Sequence, residues 1–137
     1  MSQIFLPSEL ATGVAKIDTL HSDLLHAMAV LSAKPSSSFG SEYASFITKL
    51  ERTFSTEERW MEEIDYPALQ NHREQHARVL SAMHITHAHA LAGDIALARD
   101  VIDRLLPYWL VFHIATADTA LAVVMQMTGE QHATIAA

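Results

Sequence analysis

An all-α fold, an antiparallel up-down-up-down four-helix bundle, is what this sequence predicts, on three observations. Apolar residues recur at helical spacing through four long segments, with almost none of the two-residue alternation that strands require. Gly and Pro supply the punctuation: Gly13, Gly40, Gly93 and Gly129, with Pro7, Pro35 and Pro67, are expected where helical patterns start or stop. The connections are short, which sets consecutive helices side by side and antiparallel. With 137 residues, half of them apolar and 18% charged, one domain (1–137) with a real core is expected, residues 1–15 forming an N-terminal arm and 129–137 a tail.

Taken in order, the first helix is expected from about Asp18 to Ala33, with Asp18 as N-cap and Ile17, His21, Leu24, Leu25 and Met28 on one stripe. A loop from Lys34 to Gly40 follows, and Ser41 with Glu42 opens the second helix. That helix presents Phe46, Ile47, Leu50, Thr53, Phe54, Glu57, Met61 and Ile64 inward. Asp65-Tyr66-Pro67 reads as a corner. The third helix, about Ala68 to Ala92, carries Leu69, His72, His76, Val79, Leu80, Met83 and His87 on its inner stripe. Gly93 ends it, and Asp94 is placed to cap the fourth. The last helix runs to Thr128 and shows Ile102, Leu105, Leu106, Trp109, Leu110, His113, Leu121, Val124 and Met125. Pro107 lies inside it and should kink it or break it locally.

Sixteen acidic against nine basic residues give a net charge of -7 without a Lys/Arg cluster, which argues against nucleic acid and anionic membranes as partners. The absence of Cys excludes disulfides, iron–sulfur clusters, Cys-ligated zinc and haem attached through Cys. No uninterrupted apolar run approaches 18 residues, so no membrane span is expected. Met1 to Leu10 lacks a basic segment, so no signal peptide is expected either, and a cytoplasmic location is the expectation. Nine His is the one compositional anomaly that points toward chemistry.

His72 and His76, four apart, stack their imidazoles on one helical face. Two His at that spacing arise often by chance, but Glu57 lies on a neighbouring inward stripe, where a carboxylate is costly unless paired or bound to a cation. His113 and Asp118 stand about 140° apart on an ideal helix, so sharing one site would need a local distortion. His21 sits on the apolar stripe of the first helix. Together these donors come from all four helices, the way a bundle core holds non-haem iron. His26, His84, His89 and His132 read as surface residues, His87 as a partly exposed residue near the bundle end, and Glu58 as facing away from Glu57. Nothing resembles a nucleophile–base pair, which favours a binding protein over an enzyme.

The blocks Gly13-Val14 with Ile17-Asp18-x-x-His21, Phe54-x-x-Glu57-Glu58-x-x-Met61, Tyr66-Pro67-x4-His72-x3-His76 and Trp109-Leu110-x-x-His113-Ile114-x3-Asp118 resemble the hemerythrin family, specifically bacteriohemerythrins. The resemblance spans roughly residues 13 to 121. It implies an oxo- or hydroxo-bridged di-iron site that binds O2, or another small diatomic ligand, reversibly. By the same resemblance His72, His76 and His113 would hold one iron, Glu57 and Asp118 would bridge, and His21 would belong to the second. Leu24, Thr53, Phe54, Trp109, Leu110 and Ile114 would line the ligand pocket. Two positions depart from the family's pattern: Thr53 stands where a His is usual, and Leu20 where a Gln is usual. A Thr hydroxyl is a weak ligand and sits nearer the backbone than an imidazole nitrogen, so the second iron is expected to be weakened or to take a water instead. The rival expectations are a di-iron redox enzyme of oxidase or peroxidase type, and a metal-poor scaffold acting through protein partners.

Overall fold

The computed structural model describes residues 8–136, with side chains described through residue 129. After a 3-10 turn, Ser8–Leu10, come α1 (Ala15–Ser32), α2 (Ser36–Glu63), α3 (Leu69–Leu91) and a continuous fourth helix α4, residues 96–136. Two π turns, Val101–Leu105 and Ile114–Asp118, are set into α4. No strand occurs among the described residues. Glu57 near the end of α2 meets His21 near the start of α1, and Glu58 of α2 pairs with Arg73 early in α3. Arg99 at the start of α4 donates to the carbonyls of Ser32, the last residue of α1, and of Lys34 just beyond it. Neighbouring helices therefore run antiparallel.

Several helix boundaries differ from the sequence expectation, each for a local reason. Asp18 lies inside α1 rather than at its cap. From there its carboxylate accepts bonds from the Thr12 amide at 2.8 Å and the Thr12 hydroxyl at 2.7 Å, which ties the incoming chain to the first turn. The expected loop 34–40 is mostly helix, since α2 starts at Ser36 behind an extended Pro35. Phe39 and Tyr43 are fully buried there, and packing overrides the poor helix propensity of the Ser run and Gly40. Asp94 is not a cap either. Its amide bonds the His89 carbonyl while that of Gly93 bonds Ala90, the paired closure of a Schellman motif, and Gly93 adopts the positive φ of 101° that the motif requires. Gly129 lies within α4. Leu105, expected inward, is largely exposed.

Pro107 does not end α4, and the local break expected there takes the form of the π turn Val101–Leu105 just before it. The π turn immediately before it changes the hydrogen-bond register, so the missing amide falls where one donor is already displaced. Over Ala96–Gly129 α4 holds an 18-residue window of mean hydropathy 1.5, apolar and long enough by composition to cross a bilayer. A search for uninterrupted apolar runs misses it because polar residues such as His113 and Asp118 interrupt the helix. Those two residues face the bundle interior and are buried.

The core falls into two apolar clusters. The larger includes Leu24, Phe39, Tyr43, Phe46, Leu50, Phe54, Met83, Ile102 and Leu110, and the smaller comprises Ile17, Met61, Tyr66, Leu121 and Ala122. Each large side chain so buried contributes roughly 1.5–3 kcal/mol. Along α1, α2 and α4 the polar residues His21, Glu57, His113 and Asp118 fall between members of the two clusters. The apolar clusters thus hold a polar layer between them and shield it from water.

Candidate metal centre

That layer brings together all six residues the sequence marked. Glu57, His72, His76 and His113 offer ligand atoms that lie within 4.8 Å of one another, and so do His21, Glu57 and Asp118. All six are buried, none more than 3% exposed. His72 Nε2 lies 3.1 Å from His113 Nε2 and 3.0 Å from Asp118 Oδ1, and His113 Nε2 is 3.3 Å from the same oxygen. On the other side His21 Nε2 lies 2.9 Å from Asp118 Oδ2 and 3.1 Å from Glu57 Oε2, while Glu57 Oε1 is 3.4 Å from His76 Nε2. Each carboxylate spans the two donor groups with its two oxygens.

His113 and Asp118 can both face inward because the π turn Ile114–Asp118 lies between them. An i→i+5 register wraps five residues into little more than one turn, which cancels the angular offset that an ideal α-helix would impose. Thr119 completes the turn by donating its hydroxyl to the Ile114 carbonyl at 2.7 Å.

For two of the four imidazoles, outer hydrogen bonds fix which nitrogen is free. His76 Nδ1 donates to Glu58 Oε2 at 2.9 Å, and His113 Nδ1 donates to Gln75 Oε1 at 2.9 Å. With Nδ1 carrying the proton, Nε2 of both rings turns a lone pair into the centre. Phe54 stacks on His76 at 3.8 Å between centroids and Trp109 on His113 at 4.4 Å, so both rings are also clamped face-on. His76 Nε2 and Asp118 Oδ1, both turned toward the centre, lack a well-formed hydrogen bond although Glu57 Oε1 and His72 Nε2 lie 3.4 and 3.0 Å away, while the unpartnered His21 Nδ1 is on the side of its ring away from the carboxylates. Buried acceptors that face one another without a donor are expensive. A divalent cation satisfies the inward lone pairs together, and the all-N/O donor set suits iron, zinc or manganese.

Protons are the competing solution. Burial alone would lower the His21 pKa, but its bonds to Asp118 and Glu57 outweigh burial and raise it to about 9. Burial likewise opposes the charged form of His76, and Glu57 and Glu58 raise its pKa above the ordinary value. Asp118 shows the mirror image: burial would raise its pKa, yet His113, His21 and His72 hold it well below the usual carboxylate range. Without a cation, the layer is held by imidazolium–carboxylate pairing, and metal entering beside His21 must displace a firmly bound proton.

Sequence reasoning missed the outer partners. Glu58 does point away from Glu57, but it faces α3, where it also accepts from Arg73 Nε at 3.2 Å. Arg73 in turn bonds Glu62. The only sequence signal was the charge pattern itself, and nothing in one chain's sequence says which residue of α3 lies opposite Glu58. Glu58→Ala should lower metal affinity roughly 10–100-fold while leaving the helices intact, because His76 loses its tautomer lock. A metal titration showing unchanged affinity would remove Glu58 from this role.

Thr53 is buried on the inward stripe as expected, but its hydroxyl donates to the Lys49 carbonyl at 2.9 Å, one turn back along α2. The group is committed to the backbone. Leu24, Phe54, Leu110 and Ile114 are buried and Trp109 is half-buried, which forms an apolar wall. An apolar cleft of about 240 Å³ lined by Val79, Met83, Leu106 and Trp109 opens on the outer side of that wall. A second cleft of about 210 Å³ reaches His72 between Tyr66, Asn71, Gln75, Ala117 and Ala120. His26, His84 and His89 are exposed and His87 is partly buried against Tyr43, while the side chain of His132 lies outside the described residues.

Fold and site together define a four-helix bundle with a buried, metal-competent His/carboxylate centre drawn from every helix. No protein-family model matches the chain. A bacteriohemerythrin of Ralstonia nicotianae (strain ATCC BAA-1114 / GMI1000) is 29% identical over 120 residues, 88% of this chain and 87% of that protein. The resemblance to hemerythrins read from four short blocks therefore extends across nearly the full length of both chains.

Proposed function

We propose that this is a non-haem iron protein of hemerythrin type, which binds or senses O2 at a carboxylate-bridged site whose second metal position is weakened. The carrying observation is the pair of imidazoles, His76 and His113, whose outer bonds to Glu58 and Gln75 leave both Nε2 atoms free in a buried cluster with Glu57 and His72, the ligand atoms all within 4.8 Å of one another. His72, His76 and His113 would hold one iron, Glu57 and Asp118 would bridge, and His21 would hold the second. Bound iron supplies the redox-active centre at which a diatomic ligand is taken up. The chain's own part is to exclude water with Leu24, Phe54, Trp109, Leu110 and Ile114, and to hold the donors in place. Binding without turnover suits an apolar wall that offers no acid–base pair.

Thr53 supplies a specific reason to keep a redox enzyme as the second reading. Its hydroxyl is tied to Lys49, so the position beside His21 has fewer protein donors, and an open coordination position favours oxidation chemistry. Thr53→His separates the two. The variant should raise occupancy of the second position and slow autoxidation, giving stable, reversible O2 uptake. Fast irreversible oxidation and peroxide turnover in wild type, suppressed in the variant, would favour the enzyme. Identical behaviour of both proteins would show that Thr53 is not a lost ligand.

A further inference from the structure

The outer face of α4 is unlike the rest of the surface. Between Leu105 and Gly129 the only Asp, Glu, Lys or Arg is Asp118, and it is buried. Instead the face exposes Tyr108 (82%), Phe112 (68%), Met127 (63%), Val123 (49%), Val111 (48%) and Leu105 (43%). We propose that this face is the isologous interface of a homodimer, in which α4 packs antiparallel on α4 of a second copy. The proposal is independent of the metal.

Three observations select a second copy as the occupant. At side-chain sizes of about 150–250 Å² for the aromatics, and somewhat less for the aliphatics, these residues expose roughly 700 Å² per protomer. Doubled across a two-fold axis, that falls within the roughly 1,200–2,000 Å² of a stable interface. Charge supports the same choice. In a chain of net charge -7 this is the stretch where two copies can meet without opposing carboxylates. The order of side chains is also self-complementary. An antiparallel pair centred between Ala117 and Asp118 sets Tyr108 beside Met127 of the partner subunit, Phe112 beside Val123 of the partner subunit, and Ala115 beside Ala120 of the partner subunit. The small central residues let the helix axes approach while the large ones interlock on either side. A lipid surface is the poorer fit, since an interfacial helix is typically flanked by Lys and Arg on its polar face.

Sedimentation equilibrium of the full metal-loaded chain tests this. At micromolar concentration wild type should show twice its 15.2 kDa mass. Phe112→Glu and Val123→Lys, both on the exposed face, should each weaken dimerisation by about tenfold or more. The double variant should regain the dimer, because the new carboxylate and ammonium face each other across the two-fold axis. Circular dichroism verifies that each variant remains helical. A monomeric wild type overturns the proposal, as does dimerisation that either single substitution leaves intact or that the double variant fails to recover. Two further results overturn it: a monomer that dimerises only once residues 1–7 are deleted, which assigns the face to the chain's own arm, and a monomer that binds phosphatidylcholine vesicles.

Discussion

His76→Ala is expected to strip metal from the protein while leaving the four helices in place. His76 is prepared for coordination: Nδ1 is held by Glu58, the ring is stacked on Phe54, and Nε2 faces the interior 3.4 Å from Glu57 Oε1 without a well-formed hydrogen bond. The substitution removes one donor of the His72, His76, His113 set and leaves a cavity against Phe54 that the other imidazoles cannot reach across. Loss of an outer hydrogen-bond partner typically costs about 10–100-fold in metal affinity, and loss of the donor itself should exceed that. The check is metal per chain after gel filtration, with helicity followed in parallel. Unchanged metal content would mean that the cluster is not the binding site.

The second large effect is on stability, and its sign depends on pH. Without metal, Asp118 and Glu57 rely on imidazolium partners, chiefly His21, whose pKa is raised from 6.5 to about 9 in the folded protein. A group with a raised folded pKa stabilises the fold fully below its unfolded value of about 6.5 and loses that contribution as pH rises through the folded value. Metal-free protein should therefore weaken as pH rises above 7 and be least stable beyond 9, where the buried carboxylates lose their cation. Breaking such a pairing costs roughly 3–5 kcal/mol. Metal replaces the protons, so the loaded protein should melt higher, by about 10 °C or more in alkaline buffer, with a smaller gap at neutral pH. Thermal melts at pH 7 and 9.5, with and without metal, measure this directly. Equal melting temperatures at both pH values would mean that the carboxylates are otherwise satisfied.

How much of this was legible in the sequence follows from which interactions are local. The inward stripes of α1, α2 and α3 depend on helical periodicity alone, so His21, Glu57, His72 and His76 could be placed on the core side without knowing the fold. Asp118 could not be paired with His113 by periodicity, because π turns have no reliable signature in one sequence. Only the resemblance to hemerythrins put it in the site, and the π turn supplies the geometry. The start of α2 was hidden for a related reason: Ser36-Ser37-Ser38 and Gly40 read as loop, and only burial of Phe39 and Tyr43 makes them helix. Glu58 and Gln75 act across the bundle, on His76 of α3 and His113 of α4. Their roles depend on how the helices are rotated against one another, which side-chain spacing within a single helix does not encode.

The most direct measurement is an anaerobic titration of chelator-stripped protein with Fe(II), counting the equivalents bound per chain and their affinities. One tight equivalent at the His72, His76 and His113 position, followed by a weaker second beside His21 and Thr53, is the expected result. Absence of saturable binding would contradict a metal centre altogether, and two equivalents of equal affinity would contradict the weakened second position.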